Sequence, residues 1–221
     1  STCTCCGCAR RWHRTGSTAS SRPFEAQVTG IDYFENARRA VLAQRAYAMA
    51  NPNDFAGYDS TVWGLTASDG PGNTTVTIDG QERRFRGYWA RGAAHGDIRD
   101  DGTIAPTAAG GSVPFAPKIT IRALRTMRER YGDALFNQYG FRDAFNPTWT
   151  LDELPPDGGI LTDRGWVDQN YLGIDQGPIL AMIENHRTGL IWTLMRDTPY
   201  IVRGLRRAGF SGGWLDTAPA P

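Results

Sequence analysis

Apolar residues recur at helical spacing in four stretches of the chain. In "IDYFENARRAVLAQRAYAMANP", residues 31–52, Tyr33, Ala37, Ala40, Val41, Gln44 and Ala48 share one face of a 3.6-residue period. Asp32 and Glu35 stand at capping-box spacing, Ile31 precedes them as a staple, and Asn51-Pro52 ends the run. In "PFAPKITIRALRTMRERYG", Ile119, Ala123, Leu124, Met127 and Tyr131 form a second stripe, with Pro117 in the first turn and Gly132 suited to C′. "YLGIDQGPILAMIENHRTG", residues 171–189, reads as a helix opened by Gly177 with Pro178 at N1. "TPYIVRGLRRAG" reads as a last helix with Thr198 as N-cap, Pro199 at N1 and Gly209 past its end.

Period-two alternation is confined to "TTVTIDGQERRFRGYW", where two segments flank Asp79-Gly80. That pattern predicts a β-hairpin with a two-residue primed turn. The segments between are long, rich in glycine and aromatics, and show no βαβ alternation. Loops of this length inside a compact domain are usually functional. The expected body is therefore mainly α, with one small hairpin and long working loops.

Composition narrows the function classes. With 221 residues of which 40% are hydrophobic, one domain with a sizeable core is expected. Lys and Arg number 24 against 23 Asp and Glu, so no basic footprint for nucleic acid exists. No apolar run is long enough to cross a membrane. All four cysteines crowd into "STCTCCGCARRWHR" at the start. Such close neighbours cannot staple distant parts of a fold, and His13 alone does not complete a zinc pattern. Residues 1–23 read as a disordered or non-native leader and 24–221 as the domain.

Several chemical motifs fail on context. "GFSGG" matches G-x-S-x-G, but Ser211 follows a helix rather than a strand, and only His13, His95 and His186 could serve as base. "GPGN" and "RGAAHG" lack the Lys-Ser/Thr of a phosphate-binding loop. His186 has no second ligand one turn on. No metal or organic cofactor is expected.

Carboxylates in aromatic loops remain: Asp69, Asp143, Asp168, Asp175 and Glu184. Each has Trp, Tyr, Phe, Asn or Gln nearby, the side chains that stack on sugar rings and bind hydroxyls. Glycosidic cleavage needs one protonated and one ionised carboxyl group. Asp175 sits just before the expected helix start, where free N–H groups favour a carboxylate and hence a base. Glu184 has a structural reading as the i,i+3 partner of Arg187.

Five strings carry a resemblance: "DYFENARRAVLAQRAYA", "WGLTASDGP", "DGTIAPTAAGGS", "YGFRDAFNP" and "YLGIDQGPILAMIENHRTGLIW". Together, from about Gly30 to Asp216, they are similar to the glycoamylase-like family, which includes endo-β-1,2-glucanases of glycoside hydrolase family 144 and domains of cyclic β-1,2-glucan synthases. The resemblance implies an (α/α)6 barrel, inverting endo-hydrolysis of β-1,2-glucan without a cofactor, and a periplasmic or secreted location. By position it implies Asp175 as base, with Trp63, Asp69, Phe141, Asp143, Asn146, Gln176 and Glu184 as substrate-binding residues. Twelve barrel helices do not fit, so the chain corresponds to the C-terminal half, and the general acid is expected in the other half. A half-barrel exposes an apolar face and invites self-association. Two other readings stand beside this one: a non-catalytic glucan-binding or chain-length-controlling domain of a glucan synthase, and an exo-acting glucosidase.

Overall fold

The computed structural model describes residues 30–218 and the backbone of Glu25–Ala26. The expectations for residues 1–23, including the cysteines and His13, lie outside the described residues. Six α-helices occur among the described residues: α1 Tyr33–Ala50, α2 Pro106–Gly110, α3 Pro117–Leu135, α4 Gly173–Arg187, α5 Leu190–Arg196 and α6 Pro199–Arg207.

Local chemistry sets the ends of α1. The Asp32 carboxylate accepts the Glu35 N–H at 3.0 Å, and Asn51 turns the chain into the left-handed region at φ 41°. These caps satisfy groups that a helix end leaves open. Gln44 does more than its place in the stripe suggests. Its amide both donates to the Leu65 carbonyl and accepts the Leu65 N–H, each at 3.0 Å, which ties the loop carrying Trp63 to the helix.

The stripe of α3 is buried at Ala123, Leu124 and Met127, as its period predicts. Gly132 breaks the regular course at φ 54°, and one further turn follows to Leu135. α6 starts at Pro199 after Thr198, as expected.

The start of α4 differs from the sequence reading. The helix begins at Gly173 with Leu172 as N-cap, so Pro178 lies inside it. Proline there removes one hydrogen bond near a helix end, where tertiary packing makes up the loss. That packing comes from α2. Gly110 lies so close to α4 that an added Cβ would meet Ile179 Cγ1 at 2.6 Å, and the Thr107 hydroxyl donates to the Asp175 carbonyl at 3.2 Å. "DGTIAPTAAGGS" is thus a small-residue buttress beneath the first turns of α4.

The hairpin forms as predicted, Thr74–Ile78 against Gln81–Phe85, with Asp79 and Gly80 both at positive φ as a primed turn requires. Among the described residues, five more small antiparallel sheets are made mostly from segments that read as loops. Most strands have two or three residues, too short to show alternation. The most consequential is the three-stranded sheet of Phe145–Asn146, Gly165–Val167 and Ile160–Thr162. The main core gathers Trp63, Ile104, Met127, Phe145 and Trp192 beneath these loops. Ile174, Leu180, Leu194 and Tyr200 are exposed along the last helices. No helix among the described residues is long and apolar enough to cross a membrane.

Candidate active site

Four aspartates converge where three loops meet the start of α4. Antiparallel pairing of Phe145 with Val167 carries two of them to one place. The ladder continues past the strands: Asp168 N–H donates to the Ala144 carbonyl at 2.9 Å, and Asp143 N–H to the Asn170 carbonyl at 3.1 Å. Asp69 follows the strand Ala67–Ser68, and its N–H donates to Asp143 Oδ2 at 2.7 Å. Asp175 is the third residue of α4, and its carboxyl group shares a hydrogen bond with that of Asp143.

All but Asp69 are withdrawn from solvent. Asp143 is 1% exposed, Asp168 4% and Asp175 5%. Burying a carboxylate without a cation nearby favours its neutral form. Burial pushes Asp143 up to about 7. The Asp69 N–H opposes this, while the charge of Asp175, its hydrogen bond and the charge of Asp69 add to it. Burial, with the charges of Asp143 and Asp69, pushes Asp168 up to about 6. Asp175 is raised as well, first by burial and then by the charges of Asp69 and Asp168.

The two carboxyls titrate as a pair that shares one proton, both raised by burial, and their mutual hydrogen bond favours Asp143 as its holder. This corrects the expectation that the helix end alone keeps Asp175 ionised. Asp175 is in the first turn, but it is buried among acids, and the proton on Asp143 is what favours its charge. Like charges this close cannot both ionise.

Two oxygens of the cluster meet no N–H or hydroxyl donor. Asp168 Oδ1 accepts from Asn170 Nδ2 at 3.1 Å, but Asp168 Oδ2 and Asp175 Oδ2 are buried without a hydrogen-bond partner among the described residues. Unpaired buried acceptors are rare in native proteins and call for a donor. Asp69, Asp143 and Asp168 also bring carboxylate oxygens within 4.8 Å of one another, the only such group among the described residues. A hard cation could use that spacing, in competition with the shared proton and the Asp69 N–H.

The other expected binding residues are placed differently. Asn146 is fully buried. Its amide donates to Asp101 O and Thr103 Oγ1 and accepts the Thr148 N–H, all at 3.0 Å, which leaves it a scaffold role. Phe141 packs edge-on against Phe136 at 4.7 Å, inside the core. Trp63, 1% exposed, is likewise core rather than a cleft wall. Gln176 donates through Nε2 to the Phe141 carbonyl, and a Cβ at Gly140 would strike its Oε1, so it clamps the loop that carries Asp143. Glu184 pairs with Arg187 at 3.2 Å and accepts the Thr188 hydroxyl at 2.7 Å, the structural reading of that residue.

Two features escaped the sequence reading. Tyr139, 66% exposed, meets Tyr171 edge-on at 5.7 Å, and the Arg142 guanidinium lies over Tyr171 at 4.7 Å. Tyr139 stands four residues before Asp143 and Tyr171 four before Asp175, so this aromatic pair joins the two segments that carry the acids. The second is a buried Arg91–Asp101 ion pair beneath Asp69, with Arg91 Nε 2.8 Å from Asp101 Oδ1. Neither residue lies in a periodic segment, and no spacing rule joins them.

The raised carboxyls set a pH dependence of stability. Asp143 has an ordinary value of 3.8 and a folded value of about 7, so between those limits the folded chain binds more protons than the unfolded chain. Its contribution is full at low pH and fades as pH rises through 7. Thermal melts of Asp143→Asn should therefore lose less melting temperature between pH 5 and 8 than the wild type. Parallel curves for the two proteins would contradict the shared-proton arrangement.

Comparison with known proteins adds a family to this geometry. The Glycoamylase family model matches residues 18–199. The exo β-1,2-glucooligosaccharide sophorohydrolase of Parabacteroides distasonis is 34% identical over 176 residues, covering 80% of this chain and 20% of that protein. An endo-β-1,2-glucanase from Chitinophaga pinensis, solved with sophorotriose and glucose, is 32% identical with a TM-score of 0.66, covering 86% of this chain and 38% of that one. A Bacteroides uniformis structure is 41% identical with a TM-score of 0.65, over 85% of this chain and 37% of that one. The chain spans about a fifth of the curated relative and under two fifths of these solved structures.

Proposed function

The chain belongs to the Glycoamylase family, and from that premise we propose that it carries the water-activating part of a glycoside hydrolase acting on β-1,2-glucan. The observation that carries this reading is the buried Asp143–Asp175 pair, in which Asp175 Oδ2 meets no N–H or hydroxyl donor among the described residues. An ionised carboxylate that shares one proton with its neighbour, and has a free lone pair, is equipped to take a proton from water or from a sugar hydroxyl. Relatives named for β-1,2-glucan or its oligosaccharides supply the substrate class.

Asp143 does not serve as the general acid of the same bond cleavage. Carboxyl groups in direct hydrogen bond stand closer than the roughly 5–5.5 Å of retaining sites, and much closer than the roughly 6.5–9.5 Å of inverting ones. The pair works from one side of the sugar ring. The acid is then supplied from another part of an (α/α)6 barrel, which needs about twice the six helices described here. In this arrangement the exposed Ile174, Leu180, Leu194 and Tyr200 are covered by further barrel helices. The relatives' names include both exo- and endo-acting enzymes; endo cleavage is the reading carried by the sequence resemblance. A periplasmic or secreted location would suit a polymer substrate.

The test is a substrate panel, run with the longest polypeptide that carries these residues. Linear β-1,2-glucan should yield oligosaccharides of several lengths, and α-1,4-glucan none. Binding without release would favour a glucan-binding domain, and cleavage of α-1,4-glucan alone would refute the proposal.

A further inference from the structure

We propose that Arg91 is a positioning residue for the aspartate cluster: its guanidinium fixes the Ser68–Asp69 backbone so that the Asp69 N–H meets Asp143. The Arg91 side chain is fully buried and that of Asp101 1% exposed, so both charges have left water. Such a pair persists only when its remaining donors and acceptors are satisfied.

They are satisfied by one loop junction. Arg91 Nε and Nη2 grip the two Asp101 oxygens, each at 2.8 Å. Nη1 donates to the Ser68 carbonyl at 2.7 Å, with longer contacts to Ser68 Oγ and the Asp69 carbonyl. Nη2 also reaches the carbonyls of Arg86 and Gly87 at 3.1 and 3.2 Å. Asp101 in turn accepts the N–H groups of Arg86 and Thr103. Three chain segments are held by one planar fork, a geometry that lysine cannot reproduce.

Gly70 shows how close the fit is. A Cβ there would lie 2.2 Å from Arg91 Nη2 and 2.4 Å from the Arg86 carbonyl. The glycine after Asp69 therefore exists to admit the guanidinium, which gives "SDGP" a physical meaning. On the far side of this junction Asp69 N–H sits 2.7 Å from Asp143 Oδ2. The bond favours the ionised form of Asp143 and opposes burial and the charges of Asp175 and Asp69, with Asp168 alongside. Loosening the junction should lengthen it and leave the Asp143 proton held more tightly.

The inference deepens the proposed function, and its catalytic meaning rests on that reading, but its test does not need activity. The Asp143 carboxyl carbon is followed by 13C NMR against pH in the 221-residue chain, assigned with Asp143→Asn. Arg91→Lys keeps the cation and loses the fork; Gly70→Ala keeps the arginine and pushes a methyl against it. Both variants should titrate higher than the wild type by about one pH unit. If Arg91→Lys fails to fold, Gly70→Ala decides. Variants that melt lower while Asp143 titrates as in the wild type would show a purely structural pair and overturn the proposal. Absence of glucan cleavage by the wild type would defeat the functional reading and leave this titration standing.

Discussion

Asp175→Asn is expected to lower β-1,2-glucan cleavage by about 10³-fold, within the range for loss of a positioned base, while leaving the fold intact. Asparagine keeps the shape of the side chain and its place in the first turn of α4, but it cannot take up a proton. The substitution also acts on the partner. The charge and hydrogen bond of Asp175 are among the factors that raise Asp143. Without them Asp143 should titrate lower and stay ionised at neutral pH. Two readouts therefore move together, the rate and the Asp143 titration. Retention of more than about a tenth of the wild-type rate would show that Asp175 is not the proton acceptor, since removal of a base costs at least about 10²-fold.

The second large effect concerns stability. Asp101→Ala leaves Arg91 buried with no opposing charge, and breaking a buried pair in this way costs about 3–5 kcal/mol. For a domain of this size that corresponds to a fall in melting temperature on the order of 10 °C. Arg91→Met combined with Asp101→Leu should not recover the loss, because the Ser68, Arg86 and Gly87 carbonyls and the Arg86 and Thr103 N–H groups are then left buried without these partners. Urea unfolding of the two variants checks this. A loss under about 1 kcal/mol for Asp101→Ala would place the pair among weak surface contacts, at odds with its complete burial.

These two residues mark the division between what could be read from the sequence and what could not. Periodic segments were legible because one face of each is buried: α1 with its Asp32 cap, the α3 stripe, and α6 behind Thr198 and Pro199. The Asp79-Gly80 turn was legible because few residues tolerate positive φ. The start of α4 lies one turn before the position that Pro178 suggests, because Gly110 and Thr107 of α2 pack against the helix there. The short sheets left no pattern, since two residues cannot alternate.

The same physics governs the site. Asp69, Asp143, Asp168 and Asp175 stood out as acids in aromatic loops, and the structure brings all four together. Asn146, Phe141 and Trp63 share those motifs for scaffold reasons: an amide satisfying backbone groups, and rings filling the core. Sequence position could not separate the two uses, because a residue that shapes a loop and one that faces the ligand occur side by side in it. Arg91 and Asp101 are ten residues apart in irregular chain, and no period or spacing rule links them. Their pairing exists only after three loops have met.

The central claim is that Asp175 activates water against a β-1,2-linkage from one side of the sugar, opposite a separate acid. It is tested most directly by the anomeric configuration of the first product. Proton NMR of freshly cleaved linear β-1,2-glucan should show the new reducing ends appearing first as the α-anomer and then mutarotating. Initial appearance of the β-anomer would mean retention through a covalent intermediate, and would contradict the account.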